Sequence, residues 1–396
     1  MTLSSTADPA EPSATRRRTL WSASVAHALH DGYTDLIYVL LPVWQAEFGL
    51  GYGMLALLRG LYAGAMAGLQ VPAGRLAGKF GGRLVLAIGT ALSGIGYALA
   101  GFSGGLLGLC AALALSGAGS STQHPLASAA VSRAYGDEAR GPLGTYNFAG
   151  DIGKAALPAL TALLLVSLSW RSSLWLLAVL GIVTAIGIML VMPPFGRNGA
   201  AEDDTPAQRG AGRGGFSLLL AIGILDSGVR MGLLTFLPFL LQAKGASLPM
   251  VGLALALVFI GGAAGKYACG WLGARYGVLR TVIATEGGTA LGILAVLVLP
   301  LLPTLLVLPL LGVMLNGTSS VLYGTVPELA PREHTERAFA LFYTGTIGSG
   351  AISPILYGVL GDHIGINGAT IATAIAALAT IPLAFVLAPR LVAEPA

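Results

Sequence analysis

Charged side chains are scarce in this chain: Asp, Glu, Lys and Arg make up 10% of its 396 residues, while 55% are hydrophobic. A soluble domain carries about a quarter of charged residues, so this sequence cannot clothe a water-facing surface and is made for lipid. Cysteine is scarcer still. The two present, Cys110 and Cys269, lie in apolar stretches without paired spacing, which excludes a disulfide framework and a thiolate metal site. They read as small packing residues. There are five histidines and no His-Glu-x-x-His pair, Gly-x-Ser-x-Gly elbow or Gly-rich phosphate loop, which argues against an intramembrane enzyme. No metal and no cofactor is expected. The short polar tails leave little output surface for a sensor that signals without moving solute.

What the chain has instead is long apolar runs. Twelve stretches of about 20 residues follow one another, each able to cross roughly 30 Å of hydrocarbon as a helix. They lie near 20–45, 53–76, 84–102, 105–132, 141–168, 171–192, 216–242, 249–273, 280–301, 303–327, 338–360 and 367–389. The first is longer than a signal-peptide core and lacks a small-residue cleavage site, so a permanent helix is expected. The net charge of +4 reflects topology rather than nucleic-acid binding. Of 22 Lys and Arg, 16 fall on one side, among them Arg16 to Arg18, Arg75, Lys79, Arg83, Arg133, Arg140 and Arg197, against Arg171 and Lys244 in loops on the other. By the positive-inside rule both termini are cytoplasmic. The expected organisation is a tail over 1–19, a six-helix bundle over 20–193, a cytoplasmic linker over 194–215, a second bundle over 216–390 and a tail over 391–396.

The two bundles are copies. Adding 196 to a position in the first half lands on a similar residue over a long span: Leu41-Pro42 on Leu237-Pro238, Gly49 on Gly245, Gly74 on Gly270, Gly81 on Gly277 and Pro158 on Pro354. Both halves hold six helices and so share one orientation, a parallel repeat with a substrate site expected near the midplane between them. The fold class is therefore an all-α membrane protein.

The segment Gly74-Arg75-Leu76-Ala77-Gly78-Lys79-Phe80-Gly81-Gly82-Arg83 resembles the loop between the second and third helices of the major facilitator superfamily. That resemblance makes Gly74, Leu76, Lys79, Gly81 and Arg83 conformational-loop residues. Gly78 and Ala274 stand where the family's latching Asp is expected. Four further segments, His27-Ala28-Leu29-His30-Asp31, Leu41-Pro42 through Glu47-Phe48-Gly49-Leu50, Gly117 through His124-Pro125, and Pro327-Glu328-Leu329-Ala330-Pro331, resemble the fosmidomycin-resistance group of drug efflux proteins. The resemblance implies a proton-coupled exporter of a small compound.

A charge at the bilayer centre costs on the order of 3 kcal/mol, so ionisable groups there are functional candidates. At about 100° per residue, His27, His30, Asp31, Thr34, Asp35 and Tyr38 fall within an arc of about 140° on the first helix. Such a stripe looks onto a water-accessible cavity or forms an internal packing network. A carboxylate there loses water, which neighbouring cations offset, and that balance suits a group that loads and releases protons. Asp31 and Asp35 are the expected proton carriers, with His27 and His30 as modulators. Asp151 with Lys154, and Asp226 with Arg230, stand three and four residues apart, spacings that allow self-pairing; if free, Lys154 and Arg230 hold an anionic or zwitterionic substrate. Tyr38 and His124 complete the candidate substrate-binding set, His124 having a second reading as a cap for carbonyls freed by Pro125. Arg59 and Lys266 lie toward helix ends, where snorkelling is the simple account. Trp44 reads as an interfacial belt residue, Glu328 as a partner of Arg332, and Glu286 has no evident partner. The partners expected are a small-molecule substrate, protons and the lipid bilayer, with no nucleic acid, for a monomer that works as an antiporter; uptake by symport or facilitated diffusion would use the same cavity.

Overall fold

A computed structural model describes residues 13–196, 215–329 and 335–391. Most of the expected linker, the outer parts of both tails, Arg332 and the side chain of Arg337 lie outside them. The described chain is helical: α1 (Ser13–Phe48), α2 (Tyr52–Gly68), α3 (Gln70–Phe80), α4 (Gly82–Gly101), α5 (Leu106–Ser120), α6 (Gln123–Tyr135), α7 (Arg140–Ser167), α8 (Trp170–Val191), α9 (Gly215–Ala243), α10 (Leu248–Tyr276), α11 (Val278–Val298), α12 (Leu301–Leu329) and α13 (Thr335–Leu391).

Among the described residues eight helices are long and apolar enough to cross a membrane, or nine when α2 and α3, bent by 44°, count as one. The other three of the expected twelve have local causes. The ionisable stripe lowers the hydropathy of α1. The fourth run is broken into α5 and α6 at Ser121-Thr122. Pro125 cannot donate to the carbonyl four residues back, and the hydroxyls of Ser121 and Thr122 bond the carbonyls of Ala118 and Gly119 at 2.7 and 3.1 Å. These bonds satisfy carbonyls in the turn just before the break. The last two runs merge in α13, which turns at Gly365 with φ 81°.

The segment 74–83, expected as a loop, is mostly helix. Gly74, Leu76 and Lys79 lie on α3, Arg83 lies in the first turn of α4, and only Gly81, at φ 93°, breaks the backbone. Its repeat mate Gly277 has φ 85°, and Gly49 and Gly245 have φ 63° and 85°. These left-handed positions favour glycine, so the duplication is preserved in backbone geometry at the helix ends.

The halves meet through two helix pairs related by the repeat, α2 against α13 and α7 against α10. Near the α1–α2 turn one apolar core spans both halves, joining Ile37, Leu41 and Trp44 to Leu237, Leu241 and Leu255. Trp44 is fully buried there and packs on Trp170 at 6.2 Å, so it is a core residue and not part of an interfacial belt. At the end bearing the described chain termini the core splits in two, one cluster around Leu86 and Val131 and another around Ile222 and Phe342. A Cβ on Gly60 would lie 2.8 Å from the Ala351 carbonyl, whereas one on Gly64 or Gly68 would meet nothing within 4 Å. The halves thus touch at one end and part toward the other.

The touching end is also tied by charge. Asp362, in the middle of α13 and three residues before its turn at Gly365, accepts the backbone N–H groups of Tyr52 and Gly53 at 2.6 and 2.9 Å. It caps the first turn of a helix in the opposite half, where unsatisfied donors and the helix dipole attract a carboxylate. Because Asp362 is exposed, its contribution is put at about 1 kcal/mol. Asp362→Ala is expected to shift the balance away from closure at this end about five-fold, read as a changed distance distribution between spin labels placed one on each half.

Candidate functional site

Between the halves lies a cavity of about 530 Å³. From α1 it is lined by His27, His30, Asp31, Thr34 and Asp35, one helix face. Arg59, His124, Asn147, Asp151 and Lys154 complete the amino-terminal wall. The carboxy-terminal wall includes Ser227, Arg230, Lys266, Asn316, Ser319 and Tyr323. Two expected substrate residues are not on these walls. Tyr38 is fully buried, with its hydroxyl 3.4 Å from Met231 Sδ and its ring under the Arg59 guanidinium at 5.4 Å. Asp226 is 4% exposed and sits behind Arg230.

The histidines form a compact group. Nδ1 of His27 lies 2.9 Å from the Tyr146 carbonyl oxygen, which only accepts, so this nitrogen carries a hydrogen and Nε2 faces Asp31 Oδ1 at 3.4 Å. The Tyr146 ring stacks on His27 at 4.0 Å, fixing its plane. Nε2 of His30 lies 3.2 Å from Nε2 of His124, so one ring must donate to the other. His124, just before the proline break, joins this group through its Nε2 and its edge contact with His27 at 5.3 Å.

Lys154 reaches across to α1. Its Nζ is 3.1 Å from Asp31 Oδ2 and 3.8 Å from Asp151 Oδ1. Asp151 takes a closer partner from the other half, Lys266 Nζ at 2.6 Å. Neither Asp151 nor Lys154 is simply self-paired, and Lys266 does not snorkel: the alternation Asp31, Lys154, Asp151, Lys266 carries opposite charges from one bundle to the other. Arg59, 4% exposed, likewise turns inward. Asp226 and Arg230 do self-pair, loosely, at 3.8 Å, and Arg230 also donates to Ser319 at 3.3 Å. Asp35 stands apart, with no hydrogen bond or ion pair among the described residues, although it is 4% exposed and lines the cavity.

His27, Asp31 and His124 place ligand atoms within 4.8 Å of one another, a spacing that suits a divalent ion. The Lys154 ammonium already balances Asp31 there, so the cluster stands charge-matched without a metal.

A sequence profile of the Major Facilitator Superfamily matches residues 23–220 and again 218–396. The chain belongs to that superfamily. Solved structures agree on the fold. A bacterial homolog of the human lysosomal transporter Spinster, inward-facing and unoccupied, superposes with a TM-score of 0.79 at 14% identity over 97% of this chain and 100% of that one. Its inward-facing, occupied form gives 0.80 at 14% identity over the same shares, and a peptide transporter bound to sulfate gives 0.74 at 12% over 94% and 95%. No curated protein matches in sequence. The chain is a multi-pass membrane transporter and not an enzyme.

Sequence spacing missed Lys266, Arg59 and the Ser/Asn lining of α12. The repeat offered a signal for the first two, because Lys266 maps onto Gln70 and Arg59 onto Leu255; a charge in one copy without a counterpart in the other marks a position outside the shared scaffold.

Removing one partner of a buried ion pair strands the other. Since Lys154 is 29% exposed at its side chain, Lys154→Met is expected to destabilise by about 2 kcal/mol rather than the full buried-pair cost. Adding Asp31→Asn should restore most of that loss, giving a coupling energy in a double-mutant cycle of thermal unfolding in detergent.

Proposed function

We propose that this transporter is a proton-coupled antiporter of the bacterial inner membrane that exports a small polar or anionic compound by alternating access. The observation that carries this reading is Asp35. A carboxylate on the cavity wall with no hydrogen bond or ion pair among the described residues takes and gives up a proton without breaking a structural contact. Asp31, held by Lys154, and His27 and His30 beside it modulate that exchange. Lys154, Arg230, Arg59 and Lys266 line the cavity against Asp31, Asp35 and Asp151, a positive excess that grows when Asp35 takes a proton and favours an anionic or zwitterionic cargo. His124 and Asp151 join them on the binding wall, while Tyr38 and Asp226 act from behind it.

With the positive-inside orientation both termini are cytoplasmic, and the conformation described here is inward-open, closed by the core shared around Trp44 and by Asp362. The substrate group is proposed from the resemblance to fosmidomycin-resistance proteins, and the working unit is a monomer.

Fosmidomycin is the probe. Cells of a sensitive strain expressing the chain should tolerate more of it and accumulate less; a rise in accumulation would establish uptake instead. In proteoliposomes Asp35→Asn is expected to abolish accumulation driven by a proton gradient, at least ten-fold, while substrate exchange at equal pH continues. Gradient-driven transport at wild-type rate in that variant would remove Asp35 from the coupling role.

A further inference from the structure

The proton site proposed above lies in the amino-terminal half, but a second set of titratable groups lies buried in the other half. Glu286 on α11 is 1% exposed and Asp226 on α9 is 4% exposed, and the two carboxyls face one another. Ionised carboxylates only accept, so this contact requires a hydrogen from somewhere.

The surrounding hydroxyls cannot supply it. Thr285 Oγ1 donates to the Thr281 carbonyl at 2.9 Å, which spends its one hydrogen. Thr318 Oγ1, 2.7 Å from Thr285 Oγ1, must then be the donor in that pair. Thr318 also meets Glu286 but has no hydrogen left to give. Oε2 of Glu286 is buried without a partner. The hydrogen therefore sits on the carboxyl pair itself.

From this geometry we infer that Glu286 and Asp226 form a second proton-binding site, in the carboxy-terminal half, that holds one shared proton in the conformation described here. Two carboxylates in contact cannot both stay ionised, and a shared proton is the usual resolution. The other titratable groups whose charge reaches the pair are Arg230 on α9 and Tyr323 on α12. Arg230 links the pair to the cavity. Its head lines the cavity, its contact with Asp226 is a long 3.8 Å, and its Nε is buried without a partner. An anion that draws Arg230 into the cavity leaves Asp226 dependent on the proton; an Arg230 that closes on Asp226 releases it. As a coupling site the pair rests on the transport reading above, whereas as a proton site it stands without it.

Infrared spectra of the purified protein at neutral pH, in H2O and D2O, test the proton site without a substrate. The wild type should show the carbonyl stretch of a protonated carboxyl. Glu286→Gln should lose one carboxyl's intensity and keep its melting temperature, because the amide N–H replaces the acid O–H toward Asp226. Asp226→Asn, whose amide can donate to an ionised Glu286, should lose the same intensity and serves if the first variant does not fold. Asp35→Asn should not remove this component. A band unchanged in both Glu286→Gln and Asp226→Asn would overturn the inference.

Discussion

A charge halfway through a bilayer must be met by an opposite charge, by hydrogen bonds or by a proton, because water is not at hand to solvate it. The interior of this transporter is arranged around that requirement. Asp31 is met by Lys154, Asp151 by Lys266, Asp226 by Arg230 and, on the inference above, Glu286 by a proton. Asp35 alone of the cavity carboxylates has no protein partner among the described residues, and so its charge state is the one most directly exposed to what the cavity contains.

The same requirement ties chemistry to movement. Asp151 belongs to α7 and Lys266 to α10, one of the two helix pairs through which the halves meet. On the proposed alternating access, rocking one bundle against the other changes the separation of these helices along the cavity, so the 2.6 Å contact has to be remade or replaced. If Lys266 withdraws, Asp151 still has Lys154 at 3.8 Å, but Lys154 then divides its charge between Asp151 and Asp31. A change in the interface is in this way passed along α7 to α1, where Asp35 lies one turn beyond Asp31. The opposite end has the complementary arrangement: Asp362 meets backbone amides rather than a cation, a contact that breaks without stranding a buried charge.

Much of the scaffold was legible in the sequence, since apolar length, the 196-residue shift and the helical face of α1 are all periodic properties. Gly49 with Gly245 and Gly81 with Gly277 carry the repeat into the backbone as left-handed turns. What sequence spacing could not reach was pairing between helices far apart in the chain. Asp151 and Lys154 look self-sufficient at three residues' separation, yet each finds a closer partner elsewhere, 115 residues away for Asp151. Glu286 looked solitary because Asp226 lies on another helix. Tyr38 shares the polar arc of α1 but is covered by Arg59 and Met231, which a wheel of one helix cannot reveal. The segment 74–83 reads as a loop from its glycines, but only Gly81 needs a left-handed backbone; at the other glycines helix remains available.

The lopsided chemistry of a twofold scaffold follows from the same comparison. Under the repeat, His30 corresponds to Asp226, Asp31 to Ser227, Asp35 to Met231, Lys154 to Gly350 and His124 to Ser320. The register of His30 and Asp226 is kept as a polar, buried position in both halves, but its neighbours differ: imidazoles and Lys154 in one half, a second carboxyl and Arg230 in the other. On the proposed coupling, two copies of one bundle hold protons by different means, with histidine nitrogens and the Asp35 carboxylate on one side and a carboxyl pair on the other. Such a division lets one half answer to the cavity through Asp35 while the other answers through Arg230, and only the second route requires the cargo's charge to engage an arginine.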